Sequence, residues 1–102
     1  MDLQRAVQLN AKDNVAVCTT KVTAGSEVQI TLGETHDQGV VAKSTIEYCN
    51  KIALCDINEG DLIVKYGEVI GKATRAIDRG ALVNDENITG IARAYKDEYI
   101  PE

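Results

Sequence analysis

Acid–base or metal chemistry near neutral pH would fall first to His36, the only imidazole in this 102-residue chain. It stands in Glu34-Thr35-His36-Asp37, where two carboxylates could help it hold a metal weakly. A closed zinc site takes about three or four well-placed ligands, so a solvated loop histidine is the better reading. The carboxylate pairs Asp85-Glu86 and Asp97-Glu98 sit in polar stretches and also read as solvated. Cys18, Cys49 and Cys55 are odd in number and form no CxxC. In a reducing compartment they are free thiols. Cys18 and Cys55 lie in apolar runs and read as small buried hydrophobes. Gly67 and Gly71 lack the strand-to-helix context of a phosphate loop. No Ser-His-Asp or Cys-His order assembles a nucleophile. The chain does not carry a complete catalytic set of its own.

The elements that would position these residues are organised around residues 51–87. Two copies of one pattern frame that stretch, Ile57-Asn58-Glu59-Gly60-Asp61-Leu62-Ile63 and Ile77-Asp78-Arg79-Gly80-Ala81-Leu82-Val83. A looser copy lies upstream at Val22-Thr23-Ala24-Gly25-Ser26-Glu27-Val28. Each is a tight turn feeding a strand, with Gly supplying positive φ. Glycine turns recurring between short β-rich runs predict an all-β domain of short strands with little helix.

Strands are expected at residues 5–9, 15–18, 27–32, 51–56 and 88–94, with Leu82-Val83 adding a short one. Val28, Ile30 and Leu32 alternate with polar neighbours, the period of a half-buried strand. Residues 62–73 read as a strand pair closing around Tyr66-Gly67. Residues 33–39 read as a polar loop, with a brief strand at Val40-Val41. Residues 43–49 read as a loop or helical turn, 74–79 as a short helical turn, and 95–102 as a polar tail. One domain covers residues 1–102, with its core at about 5–92. Neither Trp nor Phe is present, so the core must be aliphatic.

A net charge of −5 with scattered basic residues argues against nucleic acid and anionic membranes as partners. No apolar run approaches the ~18 residues of a membrane span. Met1-Asp2-Leu3-Gln4-Arg5 has no basic start or apolar middle of a signal peptide, so a cytoplasmic location is expected.

Several stretches occur in an order that resembles a known family. They are Asp13-Asn14-Val15-Ala16-Val17, the Thr23-Ala24-Gly25 turn, Lys51-Ile52-Ala53-Leu54-Cys55-Asp56-Ile57, Lys65-Tyr66-Gly67-Glu68-Val69-Ile70-Gly71-Lys72-Ala73, and the Ile77-Asp78-Arg79-Gly80 turn with Val83 and Asn87. Together they resemble the SAF domain of the altronate and galactarate dehydratase family. They are also similar to the small subunit of sulfolactate sulfo-lyase. The likeness covers roughly residues 5–92, and the Lys-Tyr-Gly-Glu-x-Ile-Gly run is its most specific part.

The resemblance implies a β-clip fold and a larger catalytic domain or chain elsewhere. That larger part would eliminate water from a sugar acid, abstracting a proton beside a carboxylate with a divalent metal of iron or magnesium type stabilising the charge. This chain would hold no cofactor of its own and would add a wall, or a few polar contacts, to the substrate site. Lys51, Tyr66, Glu68, Asn50 and Asn87 are the residues the resemblance offers for contact with a sugar acid or the large subunit. Lys51 suits a carboxylate. A plain structural hairpin would leave Lys51, Tyr66 and Glu68 pointing to solvent.

The sequence departs from the family pattern where histidines are usual. Asn50 stands in place of one, and Asn84 and Glu86 in place of two more. Asn50 can still hydrogen-bond a hydroxyl, and Glu86 can ligate a hard cation. Neither replaces imidazole as a base near neutral pH without a strongly shifted environment. Three readings follow. The first is a small non-catalytic subunit of a hexonate hydro-lyase. The second is a stand-alone sugar-acid binding module, favoured by the missing histidines. The third is a homo-oligomeric assembly protein pairing through a strand edge near Val40-Val41.

Overall fold

A computed structural model describes residues 3–90, apart from the side chains of His36 and Asp37. It is all-β, with no helix among the described residues. Nine strands run in order: β1 (Gln4–Gln8), β2 (Val15–Cys18), β3 (Glu27–Leu32), β4 (Thr35–Val41), β5 (Lys51–Ala53), β6 (Leu62–Lys65), β7 (Glu68–Ala73), β8 (Leu82–Val83) and β9 (Ile88–Thr89). Six form one sheet in the order β4-β3-β1-β2-β5-β8, and three form a second in the order β6-β7-β9. Only β1 and β3 pair in parallel; the other named pairs are antiparallel.

The glycine turns are the organising device, and there are four, not three. Residues 18–26, 42–50, 53–61 and 73–81 are copies of one nine-residue unit. Each opens on a small residue (Cys18, Ala42, Ala53, Ala73) and places a β-branched one at its fifth position (Val22, Ile46, Ile57, Ile77). Each has a positive-φ residue at its eighth: Gly25 at 90°, Cys49 at 75°, Gly60 at 92° and Gly80 at 90°. In every unit the ninth N–H donates to the sixth carbonyl, at 3.0–3.1 Å. That bond, with φ above zero at the third turn residue, is the geometry of a type II turn.

The units interlock in pairs. Val22 and Ile46 exchange both backbone hydrogen bonds at 2.8 Å, and Ile57 and Ile77 do the same. The Gly25 N–H donates to the Ala42 carbonyl and the Cys49 N–H to the Cys18 carbonyl, both at 2.8 Å. In the second pair, the Gly60 N–H donates to Ala73 and the Gly80 N–H to Ala53. Each pair is a local pseudo-twofold. Val22 and Ile46 are buried in one aliphatic core with Ala6, Val28, Ile30 and Ile52. Ile57 and Ile77 are buried in a second with Val15, Ile63 and Val83.

The chain between Ala11 and Asn14 joins the two sheets. The buried Asp13 carboxylate accepts from the N–H groups of Gly67 (2.7 Å), Asn10 (3.1 Å) and Leu9 (3.3 Å). The Asn14 side chain accepts from Val64 N–H at 2.8 Å and donates to the Leu62 carbonyl at 2.9 Å. These bonds fix the β6–β7 hairpin against the start of β2. Between Lys65 and Glu68 the hairpin turns on Tyr66 and Gly67, both at positive φ (56° and 80°), as a two-residue type I′ loop requires.

Four expectations are corrected. Residues 33–39 are not a loop, because most of them lie in β4, where His36 is a strand residue. Cross-strand pairing with the apolar β3 overrides their polar composition. The strand at 51–56 ends at Ala53, where the third turn unit takes over. Residues 74–79 form no helical turn; Ile77 bridges to Ile57 instead. Cys55 is exposed rather than buried, whereas Cys18 is buried as expected. Of the expected strand at 88–94, β9 is its observed part; residues 91–94 and the tail at 95–102 lie outside the described residues.

Candidate functional site

Asn50, Lys51 and Asn84, singled out from the sequence, flank one end of the β5–β8 pair. Lys51 lies opposite Val83, and one step further the register sets Asn50 opposite Asn84. Lys51 is half-buried. Burial pushes its pKa below the usual lysine range, and nearby Lys65 acts in the same direction, while Asp85 opposes them. Lys65 closes β6 with its ammonium 5.0 Å from the centre of the Tyr66 ring, a cation–π distance. Lys65 and Asp85 are therefore near enough for their charges to act on Lys51.

That turn is built by its own asparagines. The Asn87 amide donates to the Leu82 carbonyl at 2.8 Å, and its oxygen accepts from Asn84 N–H at 2.9 Å. The Asn84 side-chain oxygen accepts from Glu86 N–H at 2.9 Å. The Asn87 carbonyl accepts from Thr74 N–H at 2.9 Å. Asn87 is buried, and both polar ends of its side chain are committed to the loop. Beside the turn lies a cavity of about 300 Å³ whose polar lining includes Ser44, Arg75, Asp78, Asn84, Glu86 and Asn87. A second hollow, bounded by Arg5, Thr19, Gln29 and Thr31, contains none of the residues singled out from the sequence.

The sequence-derived candidates thus divide. Asn50 and Lys51 meet Asn84 at the strand ends, and Glu86 and Asn87 line the neighbouring cavity. Tyr66, 40% exposed, and Glu68, opposite Lys65 in the ladder, belong to the hairpin tip. His36 lies on β4, at the other end of the six-strand order from β8, whereas Glu86 lies in the turn that follows β8. Among the described residues no three His, Cys, Asp or Glu side chains gather to hold a metal. Asn50, Asn84 and Glu86 supply two amides and one carboxylate. That set does not fit a resident divalent ion, which draws on several carboxylate or imidazole ligands.

Sequence reasoning missed Arg75, Ser44 and Lys65. Lys65 could have been found from its place beside Tyr66 in the Lys-Tyr-Gly run. Arg75 and Ser44 carry no local signal, since only the contact between units 42–50 and 73–81, where Lys43 N–H donates to the Gly80 carbonyl at 2.8 Å, brings them to one cavity. The arrangement offers a cation, hydroxyl and amide donors, and carboxylate acceptors, which is the chemistry of binding a small polar acid.

Known proteins resemble the chain over most of its length. Residues 4–90 match the family model for the altronate/galactarate dehydratase SAF domain. The chain is 33% identical to altronate dehydratase of Escherichia coli (strain K12) over 81 residues, covering 79% of this chain and 15% of that enzyme. It is 30% identical to galactarate dehydratase (L-threo-forming) of the same organism over 82 residues, covering 80% of this chain and 14% of the enzyme. The match thus spans about a seventh of each relative's length. An all-β framework of recurring glycine turns, matched over residues 4–90, makes this chain a member of the altronate/galactarate dehydratase SAF-domain family.

Proposed function

We propose that the chain is a small, non-catalytic subunit of a cytoplasmic sugar-acid hydro-lyase that completes the substrate site of a separate large chain. One observation carries this reading: the matched domain amounts to only 15% of altronate dehydratase. The rest of such an enzyme, with its divalent metal of iron or magnesium type, would reside in the large partner. The interlocked turn units support reading this one domain as a β-clip. Lys51 would face a substrate carboxylate, with Asn50 beside it for a hydroxyl, and the Tyr66–Glu68 hairpin tip would meet the large chain.

Co-expression with a large dehydratase chain tests the reading. The two chains should co-purify, and altronate or galactarate should be converted to a keto acid only when both are present. Turnover by the small chain alone, or no association, would overturn it. The asparagines at positions 50 and 84 favour one alternative, a stand-alone sugar-acid binding module. Calorimetry separates the two, because a module binds aldonates or aldarates without any partner and a subunit binds them only after reconstitution.

A further inference from the structure

We propose that the cavity beside the 84–87 turn is a binding site for a small hydroxylated carboxylate, with the Arg75 guanidinium gripping the carboxylate. This rests on the sugar-acid reading above and adds to it a carboxylate position apart from Lys51. The cavity, about 300 Å³, is lined by Ser44, Arg75, Asp78, Asn84, Glu86 and Asn87 among others, and its size suits a molecule of a few carbons with several oxygens.

The charges in this lining are unevenly committed. Asp78 is engaged by the Lys43 ammonium at 3.5 Å. Arg75 forms no salt bridge or hydrogen bond through its guanidinium with any described residue. A planar guanidinium is the group that best takes a carboxylate through two parallel hydrogen bonds. Its backbone is held on both sides: Thr74 N–H donates to Asn87 at 2.9 Å, and Ile77 exchanges two bonds with Ile57 at 2.8 Å.

The rest of the lining includes groups matched to hydroxyls. The Ser44 oxygen accepts a long bond from Leu82 N–H at 3.4 Å, which leaves its proton free to donate. The Asn84 side-chain oxygen is committed to Glu86 N–H, leaving its NH₂ as a donor. The Glu86 carboxylate is an acceptor for a hydroxyl proton. Lys51 is not part of this lining, so the two cationic positions can be tested apart.

The test titrates the full-length, isotope-labelled chain, alone and reconstituted with a large dehydratase chain, with D-gluconate and with sorbitol, its uncharged counterpart, following its backbone amide shifts; the subunit reading expects the response in the reconstituted form. Gluconate should perturb Ser44, Arg75, Asn84 and Glu86, and sorbitol should not bind. Arg75→Gln should weaken gluconate binding at least about tenfold, the scale of one charge-assisted contact. Arg75→Lys should fall between the two, because an ammonium keeps the charge and loses the fork. Arg75 is exposed, so both variants should keep the native amide dispersion. Equal binding of sorbitol, unchanged binding by Arg75→Gln, or shifts confined to Lys51 and Lys65 would overturn the site. A chain that restores hydro-lyase activity to a large partner, while Arg75→Gln changes neither binding nor KM, keeps the subunit reading and discards this site. A chain that binds gluconate through Arg75 yet joins no partner does the reverse.

Discussion

Cys18 shows how one side chain's surroundings set its behaviour. Its thiol is fully buried, and desolvation pushes its pKa from 9.0 up to about 11. Cys49 and Cys55 are exposed. A thiol-specific reagent should therefore titrate two cysteines in the native chain and three in guanidinium. Three native equivalents would contradict the burial of Cys18. The same group sets a pH dependence. Between pH 9 and about 11 the unfolded thiol has lost its proton and the folded one has kept it, so stability falls with rising pH, by about 2–3 kcal/mol in full. Lys51 acts in the opposite direction. Its folded pKa lies below its ordinary 10.5, so the unfolded state binds the extra proton and stability rises as pH climbs towards 10.5. Denaturant midpoints from pH 8 to 11 should therefore fall less steeply in Cys18→Val, and more steeply in Lys51→Met, than in the parent chain.

Turn units behave as elements because all four repeat one geometry with different residues at the strained position. At Gly60 an added Cβ meets nothing, so Gly60→Ala isolates the conformational cost of positive φ, about 1 kcal/mol. At Gly80 the added Cβ would run into the Val41 carbonyl, so Gly80→Ala should cost clearly more. Cys49 already carries a side chain at φ 75°, so Cys49→Gly should raise stability by about 0.5–1 kcal/mol, the relief of strain exceeding the added freedom of the unfolded chain. Denaturant midpoints of the three variants check the order, and a destabilised Cys49→Gly would mean that the turn at Cys49 is held by its thiol rather than strained by it. Legibility followed the same logic. The turns at Gly25, Gly60 and Gly80 were readable because glycine announces positive φ. The turn at Cys49 was not, because there tertiary pairing imposes a conformation the residue does not advertise. β4 was hidden for a related reason: Thr35, Gln38 and Gly39 look like loop residues, and only their register with β3 makes them a strand. Lys51 and Asn50 were readable as candidates from the resemblance, whereas Arg75 comes beside Ser44 only through the contact of units 42–50 and 73–81.

At the scale of the whole molecule, the two sheets share the second core, which takes Val15 and Val83 from the larger sheet and Ile63 from the smaller. The side chains of Asp13 and Asn14 add a polar clamp beside it. No local pattern reveals this, since the partners reached across the junction, Gly67, Val64 and Leu62, are 54, 50 and 48 residues away. Asp13 is only 7% exposed, and its carboxylate satisfies three backbone N–H groups on both sides of the junction. Replacing it with alanine leaves those donors without that acceptor, at a cost of about 2–4 kcal/mol. Asn14→Ala removes the two bonds that reach Val64 and Leu62 and leaves the turn around Asp13 intact. The two variants should differ in where the loss appears. In Asn14→Ala, hydrogen exchange should quicken first in the amides of β6 and β7, while β1 and β3 keep their protection, because the hairpin has lost its tether and the parallel β1–β3 ladder has not. In Asp13→Ala, the loss should also reach the end of β1, through Leu9 and Asn10. Uniform loss of protection in Asn14→Ala would mean that the two cores unfold as one cooperative unit held by packing alone, and the polar clamp would then be incidental to their joining.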